Sequence, residues 1–244
     1  MKKFVKSCYA YIIVLFFWYI LYISVNSPII PSPTNTIVNF FKIFTDKLFM
    51  NIIYSTYRII ISLGIALVLG TSIGVLSASI NRLDDFISPI VYLLYPVPKI
   101  AFLPVLMVFF GLGDLPKIIL IIIIIIFQFI LSVRDAVKKI PIELVMFEKS
   151  LDLNVYNRFF HFILPAILPA VFTSLRINIG ISIAVLFFSE SFATKYGIGY
   201  FIMNNWVMAN YLDMFSAILG VSLLGVVLFA IVDLVEKKIC HYQL

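Results

Sequence analysis

From Ile59 to Asn81 the chain carries no charge, and from Ile118 to Ile126 it is almost pure isoleucine. Runs of this kind leave few folding choices. A helix needs about 20 mostly apolar residues to cross the hydrocarbon of a bilayer, and only helices or closed barrels satisfy their backbone polar groups there. Similar runs recur along all 244 residues, and only 12% of the chain is charged. Soluble domains carry about 25%. The apolar surface is too large for a water-facing fold of this size, so the outer surface faces lipid.

Reading the runs in order gives six spans. The first covers about Tyr9 to Val25, and Pro28, Pro31 and Pro33 forbid its regular continuation. The second starts near Arg58. The third, between about Phe86 and Phe110, is interrupted by Pro89, Pro96, Pro98, Lys99 and Pro104. The fourth follows Lys117 and ends before Arg134. The fifth runs from about Ala166 to Ser189 with Arg176 inside, and the sixth from about Met214 to Val232. Lys2, Lys3 and Lys6 ahead of the first run resemble the start of a signal peptide. That run is long for one and no small-x-small cleavage site follows, so an uncleaved span is expected.

An even number of spans puts both termini on one side. With the N-terminus cytoplasmic, the inside segments hold Lys2, Lys3, Lys6, Arg82, Arg134, Lys138, Lys139, Lys149, Arg158, Lys237 and Lys238. The outside segments hold Lys42, Lys47, Lys117 and Lys195. The excess favours cytoplasmic termini. The same distribution accounts for the net charge of +6 without nucleic acid, for which no aromatic-basic groove exists. Cys8 and Cys240 lie at opposite ends, near cytoplasmic span ends, and make no disulfide framework.

Two segments carry more than hydropathy. In the second span Ser62, Ala66, Gly70, Gly74 and Ala78 recur every four residues. Such a ridge lets another helix approach closely, while Leu67 is expected to face outward. Between the fourth and fifth spans, Arg134 to about Pro165 is charged and longer than a connector requires. Leu144, Phe147, Leu151 and Val155 follow helical spacing within it. On pattern alone this is either an amphipathic helix offered to a cytosolic partner or one lying on the headgroups.

Several chemistries are missing. There is no G-x-x-x-x-G-K-[ST] phosphate loop, so the chain is not itself a P-loop ATPase. His161 and His241 are far apart and no metal-ligand spacing occurs, so neither metal nor cofactor is expected. Glu190, Asp213 and Asp233 lie only near span ends. A membrane enzyme, or a carrier driven by protons or sodium, wants carboxylates deeper. A carrier or channel working alone is the main alternative to one whose energy arrives from another chain.

The segment Phe147-Glu148-Lys149-Ser150-Leu151-Asp152-Leu153, followed by Leu164-Pro165-Ala166-Ile167-Leu168-Pro169, resembles the cytoplasmic loop of binding-protein-dependent ABC importer permeases. That loop usually reads E-A-A-x-x-L-G and then L-P-x-x-x-P. Pro31-Ser32-Pro33, Tyr57-Arg58, Tyr95-Pro96-Val97-Pro98-Lys99, Phe110-Gly111-Leu112-Gly113 and Gly197-Ile198-Gly199-Tyr200 are similar to the nitrate/taurine/sulfonate branch. Two departures stand out. The leading Glu-Ala-Ala falls on Met146, Phe147 and Glu148, and the Gly falls on Asp152.

The resemblance implies an all-α integral membrane fold of about six transmembrane helices, with a cytoplasmic coupling helix between the fourth and fifth. It implies one permease domain over residues 1–244, with its core at about 55–235. ABC ATPase subunits, an extracytoplasmic substrate-binding protein and a second permease copy in a homodimer are the implied partners. The loop residues Phe147 to Leu153 with Leu164, Pro165 and Pro169 would couple to the ATPase. Pro96, Pro98, Lys99, Pro104 and Arg176 would shape the translocation path. The branch handles sulfonates, nitrate and vitamin precursors. Arg58, Lys99 and Arg176 could favour an anion, with snorkelling or interhelical hydrogen bonds the simpler reading.

Overall fold

In a computed structural model that describes residues 2–241, the described chain is helical with no strand among those residues. The side chains of Lys2, Lys3, Lys6 and Cys8 lie outside that description. The helices are α1 (Lys2–Val25), α2 (Pro33–Ile43), α3 (Phe49–Ser79), α4 (Asn81–Leu94), α5 (Leu103–Phe110), α6 (Leu115–Lys138), α7 (Ile142–Ser150), α8 (Val155–Arg158), α9 (Leu164–Glu190), α10 (Ile198–Val207) and α11 (Tyr211–Ile239). Four helical stretches are long and apolar enough to cross a membrane: 33–79, α6, 155–190 and α11. A fifth is the pair α4 and 99–110, bent by 83° at its break. The part of α1 from Tyr11 to Val25 is shorter and apolar.

The second span differs from its expected start. Helix does not begin near Arg58 but at Pro33, and it continues through a π-turn at Phe44–Leu48. Local chemistry explains the start: the Ser32 hydroxyl accepts from the Asn35 N–H at 3.2 Å, and Pro33 sits at the first position, where its missing N–H costs nothing. Arg58 can lie inside the helix because its charge is met, as described below.

The described residues form two compact units. One holds the chain to Thr56 together with Glu190–Leu224. In it Asn39 donates to Asp213 at 2.8 Å and to Ser216 at 3.0 Å, Lys47 pairs with Asp213 at 3.0 Å, and Trp18 stacks on Phe215. The other holds Tyr57–Ser189 and the chain from Gly225 on. Its seam is α3 against α6. A Cβ on Gly70 would stand 2.5 Å from the Phe129 Cβ, and one on Gly74 would stand 2.9 Å from both the Ile130 carbonyl and the Val133 Cβ. Ser62, Ala66, Gly70 and Gly74 are buried on this side, Ala78 is half-buried, and the Ser62 hydroxyl is 3.3 Å from the Ile118 carbonyl.

The opposite face of α3 needs a correction to the sequence reading. Leu67, expected to face outward, packs against the core cluster of Val75, Val133, Ile163, Ile167 and Val171. Val68 is the exposed neighbour. Gly70→Leu or Gly74→Leu should therefore break the α3–α6 seam, beyond the roughly 1–3 kcal/mol of ordinary overpacking, because a leucine would meet backbone as well as side chain. Val68→Phe should be tolerated. Size-exclusion profiles and thermal unfolding in detergent decide it. Equal losses on both faces would mean that the close approach contributes nothing special.

Candidate functional site

The segment between α6 and α9 folds as two short helices and a turn. The expected single stripe through Leu144, Phe147, Leu151 and Val155 is not one helix. α7 stops at Ser150, the Leu151 N–H donates to the Glu148 carbonyl at 3.1 Å, and Asp152 takes a left-handed conformation with φ +46°. Asp occupies here the kind of position that glycine usually fills after a helix. α8 then starts on Asn154, whose side chain accepts from the Asn157 N–H at 2.8 Å.

The surface of this segment is inverted relative to a soluble helix. Leu144, Met146, Phe147, Leu151, Val155 and Tyr156 are exposed, with Phe147 at 61% and Leu151 at 51%. Glu148 is 4% exposed and faces inward, its carboxylate 3.4 Å from Arg158. Lys149 and Ser150 are exposed and Leu153 is half-buried. The return to the membrane helices is anchored. A π-turn at Phe159–Ile163 leads into α9, where Leu164, Pro165 and Pro169 are half-buried. Phe159, Phe162 and Ile163 join the same cluster as Val75 of α3 and Val133 of α6.

The broken span is the second element. Pro96 and Pro98 have no N–H to continue α4, and the chain turns through Lys99–Phe102 before Pro104 opens α5. The freed carbonyls are met by Lys99, whose ammonium donates to Leu94 O at 2.7 Å and Tyr95 O at 3.0 Å. A cation at the end of a helix also complements its dipole. The same ammonium lies 4.7 Å from the Phe127 ring centre and 5.8 Å from that of Tyr95. Beside it is a cavity of about 330 Å³ lined by Tyr95, Val97, Lys99, Ile100, Gln128 and two isoleucines. The Tyr95 hydroxyl donates to the Gln128 side-chain oxygen at 2.9 Å, which leaves the Gln128 amide group with its two N–H donors.

Gln128 was missed in the sequence, although the signal is there: it is the lone polar side chain from Ile118 to Leu131. Arg176 does not join this cavity. It pairs with Asp233 at 2.8 Å and with Glu236, clamping α9 to α11. Arg58 is equally committed. It is buried, and donates to Asp114 at 2.9 and 2.6 Å. Lys117, also buried, donates to Gly113 O at 2.9 Å and Leu112 O at 3.3 Å. These two cations hold the Gly111–Asp114 turn, where Gly111 has φ +80°.

A third polar cluster lies in the unit that contains α10. Glu190 is fully buried and accepts from Ser55 at 2.8 and 2.9 Å and from the Gly199 N–H at 2.9 Å. The Ser55 oxygen accepts from the Ile198 N–H at 2.9 Å, and the Asn51 side chain from the Gly197 N–H at 2.8 Å. The N-terminal donors of α10 are thus met by side chains from α3 and α9.

Residues 66–241 match the family described as binding-protein-dependent transport system inner membrane component. Three curated relatives align over most of their length. The putative aliphatic sulfonates transport permease protein SsuC of Bacillus subtilis is 24% identical, over 90% of this chain and 80% of its own. The nitrate import permease protein NrtB of Synechocystis is 24% identical, over 97% and 90%. The taurine transport system permease protein TauC of Escherichia coli is 26% identical, over 87% and 78%. Among solved structures, a chain of the inward-facing MetNI methionine ABC transporter superposes with a TM-score of 0.70, at 17% identity, over 79% of this chain and 95% of that one.

Proposed function

The chain belongs to the family of binding-protein-dependent transport system inner membrane components, and on that premise we propose which of its surfaces do the work. It is a multi-pass membrane protein, the non-catalytic permease subunit of an ABC importer, with ATP hydrolysed by a separate subunit and solute delivered by an external binding protein. In our reading α1 and the bent pair complete six spans, both termini are cytoplasmic, and two copies of the permease form the transport path.

The observation that carries the reading is the inverted surface of α7 and α8. Apolar side chains point away from the fold while the acid Glu148 points in. Covering Phe147 or Leu151 stabilises by about 1.5–3 kcal/mol each, so a complementary cleft in the ATPase is a strong binding partner. Glu148 and Arg158 brace the two short helices, and the Pro165–Pro169 segment joins them to the cluster on α3 and α6. Residues Phe147 to Leu153 make the contact, and Leu164, Pro165 and Pro169 carry its motion inward. Pro96, Pro98, Lys99 and Pro104 shape the path, with Arg176 as a clamp beside it. The free valences at the cavity, on Lys99 and Gln128, are donors. They suit a small oxyanion, the kind of solute named for the sulfonate, nitrate and taurine relatives.

Topology gives the direct test. On intact cells an impermeant thiol reagent should label Lys195→Cys and leave Lys149→Cys untouched until the membrane is opened. Labelling of Lys149→Cys from outside would overturn the six-span arrangement and the ATPase contact together.

A further inference from the structure

One carboxylate collects more hydrogen bonds than any surface acid needs. Asp84, in the first turns of α4, accepts from Ser77 at 3.0 Å and from Ser88 at 2.6 Å. Arg134 approaches it in a fork, through its Nε and through an Nη at 3.0 Å, and Lys138 closes the remaining side. Asp84 and Arg134 are largely shielded from solvent, Lys138 less so. Three elements meet there: the end of α3, the start of α4 and the end of α6.

Two features make this junction more than a local brace. Lys138 is the last residue of α6, and only Lys139, Ile140 and Pro141 separate it from α7. Displacement of α7 therefore also acts on the helix end that carries Arg134 and Lys138. At the other side, Val91 is the one fully buried residue of α4, and Asp84 ties the start of the helix to α3 and α6. Apolar contacts let helices slide, whereas a forked Arg–carboxylate pair fixes both distance and orientation. α4, which stays helical through Pro89, then runs, at 1.5 Å per residue, roughly 16 Å from Asp84 to the break at Tyr95.

We infer that Asp84 is a positioning residue that passes movement of the α7 loop to the Pro96–Pro98 break. The inference rests on the reading of α7 as the ATPase contact. Ser77 and Ser88 orient the carboxylate, and Arg134 and Lys138 grip it. Without the negative charge, α6 moves with α7 but α4 no longer follows.

The test needs no knowledge of the solute. In the purified permease–ATPase complex, with Cys8 and Cys240 replaced by Ser, Val97→Cys reports the accessibility of the break. Its rate of maleimide labelling should change on adding ATP and vanadate. Asp84→Asn should keep the ATPase bound yet lose that change, and Asp84→Glu should restore part of it. A Ser77→Ala, Ser88→Ala double variant should keep the response, because the ionic grip remains. If Asp84→Asn fails to fold, Lys138→Met, which leaves the Arg134 fork intact, should weaken the response without abolishing it. A full response in Asp84→Asn, or in Lys138→Met where that is the variant measured, would overturn the inference. If the otherwise native complex also shows no response while its ATPase is bound, the break does not move with nucleotide, and both the reading of the break and the role of Asp84 fall. Loss of the ATPase from the complex itself would instead remove the premise about α7.

Discussion

Leu151→Asp should strip the ATPase from the purified permease and abolish transport, while the membrane helices stay folded. Leu151 is 51% exposed and lies in the turn after α7, outside the buried core, so little of the fold depends on its side chain. Inside a partner's apolar cleft the new carboxylate would lose its water and gain no counter-ion. That costs several kcal/mol, and every 1.4 kcal/mol is about tenfold in affinity. Lys149→Ala is the comparison, an exposed neighbour whose removal should stay within about 0.5 kcal/mol. ATPase recovered with each variant, alongside detergent size-exclusion, measures both halves of the expectation. A variant that keeps its ATPase and its transport would make the loop a headgroup-bound helix.

Glu190→Ala should have the opposite signature: loss of the fold rather than of the partner. The side chain is fully buried and joins α9 to α3 and to the start of α10. Truncation leaves the Ser55 hydroxyl and the Gly199 N–H without this acceptor in a buried site, at about 1–3 kcal/mol each, and opens a cavity as well. Against a total stability of about 5–15 kcal/mol, that is enough to give aggregated or unfolded protein. Glu190→Gln keeps one acceptor oxygen and should be milder. Thermal unfolding in detergent separates the two. A Glu190→Ala protein as stable as the parent would mean that the cluster carries no weight.

What the sequence made legible was governed by short-range rules. Uncharged runs mark helices that lie in lipid, and Pro96 with Pro98 marks a place where helical hydrogen bonds must stop. What it hid depends on partners far along the chain. Arg58 looked like a span boundary, yet Asp114 neutralises it and helix continues on both sides of it, within 33–79. For Arg176 interhelical bonding was the simpler reading, but the two acids on α11 that take its guanidinium lie 57 and 60 residues away. The loop stripe ignored a local cost as well, because Asp152 in a left-handed turn ends α7 before Val155 can join it. Glu148 shows the same limit from the other side. A charged residue on a helix outside the lipid is expected to face water, and only the distant Arg158 explains why it turns inward.

The apolar face of α7 and its following turn should meet an ATPase rather than lipid. Photo-crosslinking from position 151 in membranes of cells that express the whole transporter asks this directly. Ultraviolet light should join the permease to a P-loop ATPase subunit, and a Phe147→Asp change in the same chain should remove that adduct. Adducts with lipid alone, and none with an ATPase, would contradict it.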